Sequence, residues 1–321
     1  MDKDLNETVY HVPIMAEEVL SFLQPEKGGI FVDGTLGGGG HAEAVLRALP
    51  EDGRLIGIDR DEEALAAAGA RLSPYKERFT ALHGNFFQMK ALLETHGIFR
   101  VNGILLDLGV SSHQLDDKER GFSYMADAPL DMRMDRTAAF SAYDVVNGYS
   151  ADELKRIFWE FGEEKFSGRV AQAIVKARSQ APVKTTLELA ELIKSAIPAQ
   201  YRRKEQQHPA RRCFQAIRIE VNHELDGLEE AIRQAHSLLV PGGRLVILTF
   251  HSLEDRIVKN TFRSFESPCT CPPSAPVCIC GKKPSGIVLT RKPLVAGEEE
   301  QKRNSRSTCC KLRAEEKRVS L

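Results

Sequence analysis

The sequence has few cysteines, a single tryptophan and no long apolar run. Seven cysteines in 321 residues are too few for a disulfide-built scaffold, and no run approaches the roughly 18 apolar residues of a membrane helix. Lysine plus arginine (44) nearly equals aspartate plus glutamate (45), so the overall charge indicates no anionic partner. The start of the chain lacks the apolar core of a signal peptide. We therefore expect a globular cytoplasmic protein with no membrane association.

Short apolar segments alternate with helical patterns in the first third of the chain. The predicted strands cover residues 30–33, 54–59, 79–82 and 103–108. Strands separated by helices predict a parallel sheet that is covered on both faces. The next comparable strand, 244–250, follows more than a hundred residues later, whereas connections in such sheets usually take a few residues. The gap must therefore hold an inserted unit.

The pattern inside this gap is helical. Ser150-Ala151-Asp152-Glu153 and Thr185-Thr186-Leu187-Glu188 are capping boxes, which mark helix starts. We predict that residues 1–114 and 213–321 form one α/β domain, and that 115–212 form an all-α domain inserted into it.

The second part of the α/β domain is expected to close the sheet. A long helix from Phe214 to about Leu239 would return the chain to the strand at 244–250. Apolar segments at 287–291 and 310–313 would then form a closing pair of edge strands.

A glycine-rich loop follows the first strand and opens a helix. It reads Asp33-Gly34-Thr35-Leu36-Gly37-Gly38-Gly39-Gly40-His41. Glycines let the backbone approach a bound molecule closely, and a helix N-terminus offers free N–H groups, although glycines also serve tight turns. Asp59 ends the second strand 19 residues after Gly40, where nucleoside-binding folds place an acid against ribose hydroxyls. The pair predicts a nucleoside cofactor.

Asp33, at the mouth of the loop, distinguishes between candidate cofactors. Its carboxylate would repel a pyrophosphate but attract the sulfonium and ammonium groups of S-adenosylmethionine. The Gly-Lys-Ser/Thr ending of a phosphate-binding loop is absent. We therefore prefer S-adenosylmethionine to a nicotinamide cofactor, with a dehydrogenase as the rival interpretation.

Asp107-Leu108-Gly109-Val110-Ser111-Ser112 ends the fourth predicted strand, at the sheet edge where open α/β sheets bind ligands. A base amine that attacks a methyl group becomes positive, and fixed acceptors near its N–H bonds would stabilise that charge. We assign this positioning role to Ser111 and Ser112; the alternative is that one of them caps a helix. No general base is assigned, because the nitrogen can release its proton to water after transfer.

Several long motifs together resemble one family. They are His11-Val12-Pro13, the loop 33–41, the segment 107–112, Gln114-Leu115-Asp116-Asp117, Glu119-Arg120-Gly121-Phe122-Ser123, Pro129-Leu130-Asp131-Met132-Arg133-Met134, His208-Pro209-Ala210, Phe214-Gln215-Ala216 and Phe250-His251-Ser252-Leu253-Glu254-Asp255-Arg256. From about residue 10 to 318 the chain is similar to the ribosomal RNA small subunit methyltransferase H family, also called MraW. The resemblance implies a Rossmann-like S-adenosylmethionine-dependent methyltransferase sheet with an inserted all-α domain. It also implies N4-methylation of a cytidine in the decoding region of 16S ribosomal RNA.

The resemblance further implies the site residues and the partner. Matched motif by motif, the S-adenosylmethionine contacts would be Gly39, Gly40, His41, Asp59, Phe86, Asp107 and Gln114. The substrate would be 16S rRNA within the 30S subunit or a late precursor, and a homodimer is compatible with the sequence. Residue chemistry alone leaves two alternatives: a non-catalytic RNA-binding assembly factor, and a methyltransferase with a protein or small-molecule acceptor.

Two basic segments are candidates for contact with RNA phosphates. Residues 200–218 hold six arginines and lysines against one glutamate, and 301–321 hold seven against two. An ordinary solvated surface is the alternative for each. The family pattern Asn-Pro-Arg-Ala-Arg-Ser is replaced at 304–309, where Thr308 stands in place of an arginine. If that arginine contacts a phosphate in the family, Arg306 or the pair Lys302 and Arg303 would make the contact in this chain.

Two further features lie outside the family motifs. Cys269, Cys271, Cys278 and Cys280 form two C-x-C pairs that would suit a tetrahedral Zn²⁺, but zinc ribbons usually use C-x₂-C. This spacing favours free thiols in a flexible loop, and no metal is assigned. Trp159 is expected to pack within a helical domain rather than to stack on a base.

Overall fold

The computed structural model describes residues 13–111, 114–115, 117–202, 207–272 and 277–319. The chain forms two compact units. Unit 1 comprises Met1–Leu108 and Gly227–Leu321, and unit 2 comprises Gly109–Asp226. The helices in chain order are α1 (Ala16–Leu23), α2 (Gly40–Ala48), α3 (Glu62–Arg71), α4 (Met89–Thr95), α5 (Ala142–Gly148), α6 (Ala151–Glu160), α7 (Ser167–Arg178), α8 (Thr186–Ala196), α9 (Ala199–Arg202), α10 (Arg211–Asn222), α11 (Leu228–Leu238), α12 (Ser252–Glu266) and α13 (Glu298–Arg303).

A mostly parallel sheet forms the centre of unit 1. Its strands are β1 (Ile30–Asp33), β2 (Arg54–Asp59), β3 (Phe79–His83), β4 (Val101–Asp107), β5 (Leu239–Thr249), β6 (Gly286–Val288), β7 (Leu294–Val295) and β8 (Lys311–Lys317). The order is β3-β2-β1-β4-β5-β8-β6, and β7 also pairs with β8. The first five strands run parallel, whereas β8 is antiparallel to β5 and to β6. The predicted Rossmann-like sheet with an antiparallel edge is confirmed.

The sheet is apolar because helices cover it. Ile58 of β2, Ile104 of β4 and Ile247 of β5 are completely buried, as expected for strands enclosed on both faces. The antiparallel edge is held by buried polar contacts as well. His236 of α11 bonds through Nδ1 to Glu315 Oε1 of β8 (2.7 Å) and through Nε2 to Ser285 Oγ (3.0 Å). These contacts fix α11, β8 and the start of β6 to one another.

Unit 2 is built from α5 to α10 around its own apolar core. Both predicted capping boxes are present, at Ser150 with Glu153 and at Thr185 with Glu188. The prediction for Trp159 is wrong: the buried stripe of α6 consists of Leu154, Ile157 and Phe158, which leaves the Trp159 side chain 61% exposed.

The predicted long helix from Phe214 to Leu239 is also wrong, because the chain breaks it into α10 and α11. His223 ends α10 with a left-handed backbone (φ 51°), and Gly227 precedes α11 with φ 82°. The first residue gives a helix end and the second permits the turn into a new helix. The Asp226-Gly227 pair is a turn signal that marks this break.

This break explains why unit 2 ends at Asp226 rather than at the predicted boundary 212/213; its start at Gly109 also differs from the predicted 114/115. Helix α10 packs on α5 and α6, so it belongs to unit 2 rather than to the sheet domain. Its buried residues Phe214 and Ile217 are part of the same apolar core as Ile157 and Val170. Within the described ranges, no helix is long and apolar enough to cross a membrane.

Asn222, at the end of α10, fastens an irregular segment inside unit 2. Its side-chain oxygen accepts a hydrogen bond from Met134 N (2.8 Å), and its amide nitrogen donates to Met132 O (2.7 Å). All three groups are buried, so removing the amide takes a hydrogen bond from each of two buried backbone groups.

We expect Asn222→Ala to destabilise unit 2 by about 2 kcal/mol or more. The melting temperature should fall by roughly 5–10 °C. Gln172→Ala, on the exposed face of α7, removes a similar amide and should leave it unchanged. The check is thermal unfolding followed by circular dichroism, and equal melting temperatures for both variants would contradict the assigned role.

Candidate active site

Three neighbouring parallel strands of unit 1 each end in an aspartate. β1 ends at Asp33, β2 at Asp59 and β4 at Asp107. β1 lies between the other two strands, and Asp33 stands in register with Gly57 and Leu105, two residues before each of the other acids. The carboxyl ends of parallel strands share one edge of the sheet, so the fold brings the three acids together there.

Thr35 links two of these strand ends. Its backbone N–H donates to Asp33 Oδ1 (3.1 Å), and its hydroxyl oxygen accepts a hydrogen bond from Asp107 N (2.6 Å). The loop after β1 is therefore fastened to the last residue of β4. Sequence reasoning did not single out Thr35, although a hydroxyl two residues after a strand-end acid is a common turn signal.

Asp59 fastens the glycine loop to β2. Its Oδ2 accepts a hydrogen bond from Gly37 N (2.7 Å), and its Oδ1 accepts one from Asp61 N (2.9 Å). Burial raises the pKa of Asp59 against these two stabilising bonds. The predicted ribose contact thus stays a prediction, and each oxygen retains a second lone pair for it.

Two positions of the glycine loop favour glycine, one because a side chain would clash and one because the backbone φ is positive. A Cβ on Gly34 would lie 2.5 Å from Leu106 Cδ2, and Gly39 has a φ of 76° immediately before α2. The first glycine permits the close passage of the loop over β4, and the second permits the turn into the helix. The turn at Gly39 therefore places the N-terminus of α2, at Gly40 and His41, directly after this edge of the sheet.

Asp33 and Asp107 are held in surroundings that penalise their charged forms. Burial raises the pKa of Asp33 to about 7, opposed by the hydrogen bond from Thr35 N and assisted by repulsion from Asp59. Burial also raises the pKa of Asp107 to about 8, with added repulsion from Asp33 and Glu254. Positive charge placed at this edge would relieve both effects.

His41 adds an uncharged ring to the edge. Burial lowers the pKa of His41 to about 4, so the imidazole is neutral near pH 7. Its Nε2 lies 3.6 Å from Asp107 Oδ2, which is beyond a hydrogen bond and, with a neutral ring, is no ion pair. Among the described residues, neither ring nitrogen of His41 nor Oδ1 of Asp107 has a hydrogen-bond partner.

Glu254 closes the edge from the side of β5. His251 precedes α12, and Glu254 Oε2 accepts a hydrogen bond from Phe250 N (2.8 Å) while Oε1 lies 3.0 Å from His251 Nε2. The pair forms a capping box for α12. Glu254 also contributes to the repulsion at Asp107.

The remaining predicted residues are distributed over both units. Phe86 of unit 1 begins a short 3₁₀ turn, half-buried, and its Cβ lies 3.2 Å from where a Cβ of Gly34 would stand. In unit 2, Ser111 and Gln114 bond reciprocally: Ser111 N donates to Gln114 Oε1 (3.0 Å) and Gln114 N donates to Ser111 Oγ (3.2 Å). Ser112 lies outside the described residues. The roles predicted for these residues stay predictions.

Internal ion pairs occupy several residues of the two basic segments. Arg313 Nε donates to Asp255 Oδ1 (2.6 Å) and Lys311 Nζ to Asp255 Oδ2 (3.3 Å), both within unit 1. In unit 2, Arg218 pairs with Glu224 through two hydrogen bonds of 2.8 and 2.9 Å. Of the C-terminal segment, Lys302 and Arg303 at the end of α13 are exposed. They stay candidates for RNA contact.

The strand order, the glycine loop and the acids after β1, β2 and β4 define the Rossmann-like class of nucleoside-cofactor-binding folds, in the form with an antiparallel edge strand that methyltransferases share. Residues 8–318 match the model of the MraW methylase family, and the chain belongs to that family.

Curated relatives are similar over nearly the whole chain. Ribosomal RNA small subunit methyltransferase H of Clostridium botulinum is 52% identical over 94% of this chain and 97% of its own length. The proteins of that name from Symbiobacterium thermophilum and a Geobacter species are each 52% identical, over 95% and 97% of this chain and 96% and 99% of theirs. Among solved structures, the O-methyltransferase TomG from Streptomyces achromogenes aligns with a TM-score of 0.43 at 10% identity over 96% of this chain and 82% of its own, a likeness too weak for inference.

We expect Asp107→Asn to weaken S-adenosylmethionine binding by about ten- to a hundredfold, the loss expected for a charge-assisted contact. The free protein should keep its melting temperature, because the substitution removes a repelled, buried acid. Binding is measured by calorimetry, with Asp52→Asn in an exposed turn as the matched control. Equal affinity of Asp107→Asn and wild type would contradict the role of this carboxylate.

S-adenosylmethionine binding should also depend on pH in a defined direction. A cation binds the ionised acids, and the pKa of Asp107 is about 8 in the free protein, so binding below this pH expels a proton. Because the pKa of Asp33 is about 7 and both acids are ionised in the complex, the affinity should rise by up to about a hundredfold per pH unit below pH 7 and by up to about tenfold between pH 7 and 8. It should level off above pH 8, where the ligand's own amino group begins to lose its proton. A dissociation constant that is flat from pH 6 to 8 would refute the raised pKa.

Proposed function

We propose that this protein transfers the methyl group of S-adenosylmethionine to the exocyclic N4 of a cytidine in the decoding region of 16S ribosomal RNA. Membership of the MraW methylase family and the names of the relatives support a ribosomal RNA acceptor in the small subunit. The cytidine, its N4 and the decoding region rest on the family resemblance of the sequence motifs. A substrate of this kind places the reaction in the cytoplasm.

The observation that carries the proposal is the meeting of Asp33, Asp59 and Asp107 at one sheet edge. S-adenosylmethionine supplies an electrophilic methyl group on a sulfonium, and its amino-acid end carries an ammonium. Asp107 has a buried oxygen without a partner among the described residues, and the pKa of both Asp33 and Asp107 is raised by burial. Such an edge fits a cationic cofactor better than a pyrophosphate.

The proposed cofactor contacts in unit 1 divide by chemistry. Asp107 and Asp33 would hold the cationic end, and the carboxylate of Asp59 would accept bonds from ribose hydroxyls. Gly39, Gly40 and the neutral ring of His41 would form the wall at the start of α2, and Phe86 would flank the adenine. Gln114 is assigned through the family motif.

Ser111 and Ser112 are proposed to orient the acceptor amine. The hydroxyl oxygen of Ser111 accepts one bond from Gln114 N, which leaves a second lone pair for an N–H of the base. Fixed acceptors of this kind stabilise the positive charge that forms on nitrogen, and in-line positioning supplies much of the remaining rate enhancement.

The proposed partner is 16S rRNA in the 30S subunit or a late precursor. Lys302 and Arg303 in unit 1 and the basic residues at the start of α10 in unit 2 are the charges proposed to follow phosphates. Thr308, where the family pattern has an arginine, is exposed in the turn beside Arg306. We therefore propose that either Arg306 or the pair Lys302 and Arg303 takes over the contact of that arginine.

The test is transfer of labelled methyl from S-adenosylmethionine to 30S subunits from a strain lacking this gene. Free 16S RNA and 50S subunits are the other acceptors, and the labelled nucleoside is identified by mass spectrometry. We expect N4-methylcytidine from 30S subunits with wild type and Asp52→Asn, and about a hundredfold less with Asp107→Ala.

Two results would overturn this function. Cofactor binding without label in any RNA would favour a protein or small-molecule acceptor. Absence of cofactor binding would favour a non-catalytic RNA-binding assembly factor.

A further inference from the structure

Four cysteine sulfurs converge outside the sheet edge described above, in the segment between α12 and β6. Cys269, Cys271, Cys278 and Cys280 place all four Sγ atoms within 4.8 Å of one another, and all four are free thiols. Their spacing in sequence favoured independent thiols. Their positions in space show one compact cluster.

The distances between the sulfurs match those around a single metal ion. Cys278 Sγ lies 3.5 Å from Cys269, 3.8 Å from Cys271 and 3.5 Å from Cys280, and Cys280 lies 3.9 Å from Cys269. A Zn–S bond is about 2.3 Å, which puts the sulfurs of a regular tetrahedron about 3.8 Å apart. Sulfurs in a disulfide are about 2 Å apart, so these contacts are of another kind.

The C-x-C spacing is compatible with such a cluster, because both sulfurs of each pair reach the same point in space. Ile279, the central residue of the second pair, donates its backbone N–H to Cys271 Sγ at 3.3 Å. An N–H bond to sulfur stabilises a thiolate and supports the ligand from outside the coordination sphere.

The described residues of this segment have little regular secondary structure or burial to stabilise them. None of the described residues between Ser267 and Ser285 belongs to a helix or strand, and Val277 and Ile279 are 70% and 86% exposed. Its ends are fixed, since Ser267 N donates to Arg263 O and Ser285 N donates to Phe265 O, both at 2.8 Å. The described residues of this connection include no buried apolar side chain, and a connection of this kind is one that small domains stabilise with a metal.

We propose that the four cysteines bind one structural Zn²⁺ that fixes the connection from α12 to β6. Four thiolates complete a tetrahedral sphere and leave no position open for water or substrate, so the ion has no catalytic part. Four thiolates around Zn²⁺ carry a net charge of −2, and the exposed Lys282 and Lys283 follow the last ligand directly. The inference is independent of the proposed methyl transfer.

The test measures metal in the full-length protein purified under reducing conditions without a metal-affinity step. Mass spectrometry of the metal content should give about one zinc per chain in wild type. The same value is expected for Cys309→Ser, which removes an exposed thiol outside the cluster. The double variant Cys269→Ser, Cys280→Ser should retain less than about a tenth of that zinc.

Limited trypsin digestion gives a second readout, the accessibility of the connection between α12 and β6. Cleavage after Lys282 should accelerate at least about tenfold when wild type is treated with a chelator, and zinc should reverse it. The double variant should be cleaved at the fast rate throughout, while cofactor binding stays intact in every sample. Full zinc in the double variant, iron in place of zinc, or a reduced wild type that neither contains nor takes up zinc would each overturn the proposal.

Discussion

The structure of unit 1 depends on holding three carboxylates close together at one sheet edge, although their negative charges repel one another. Parallel pairing of β1 with β2 and β4 sets Asp33, Asp59 and Asp107 on one edge, and burial raises the pKa of each. The fold tolerates this because the backbone supplies compensation: Gly37 N and Asp61 N donate to Asp59, and Thr35 N donates to Asp33. Asp107 receives the least compensation and has the highest of the pKa values given for these acids.

This arrangement explains the glycine loop without appeal to flexibility. The loop must cross from β1 to α2 over Leu106 of β4, so Gly34 has no room for a side chain. It must also present the N–H of Gly37 to Asp59 and turn sharply at Gly39. Within the loop, Gly34 and Gly39 thus serve the strand edge, which is the part of the molecule that the proposed chemistry uses.

The sequence could predict what local pattern determines. Strands such as β1 and β2, the capping boxes of α6 and α8, and the acids at the strand ends follow from periodicity and short motifs. It could not predict effects that depend on packing between distant segments. Predicting the break between α10 and α11 would have required treating Asp226-Gly227 as a turn signal. The exposure of Trp159 depends on which face of α6 packs against its neighbours.

The same limit applies to charges and thiols. A count of basic residues cannot show that Lys311 and Arg313 are engaged by Asp255, 56 and 58 residues earlier in the chain. Spacing alone likewise argued against a metal at the C-x-C pairs, whereas the sulfur positions depend on how the two pairs face each other. Contacts across long sequence separations decide both cases.

The most direct measurement is a carbon-detected NMR titration of the aspartate carboxyl groups in the ligand-free protein. Asp33→Asn and Asp107→Asn would assign the signals. The account predicts that these two carboxyls titrate near pH 7 and pH 8, and that both stay ionised over this range when S-adenosylmethionine is bound. Titration of every aspartate below about pH 5, as in unperturbed groups, would contradict it.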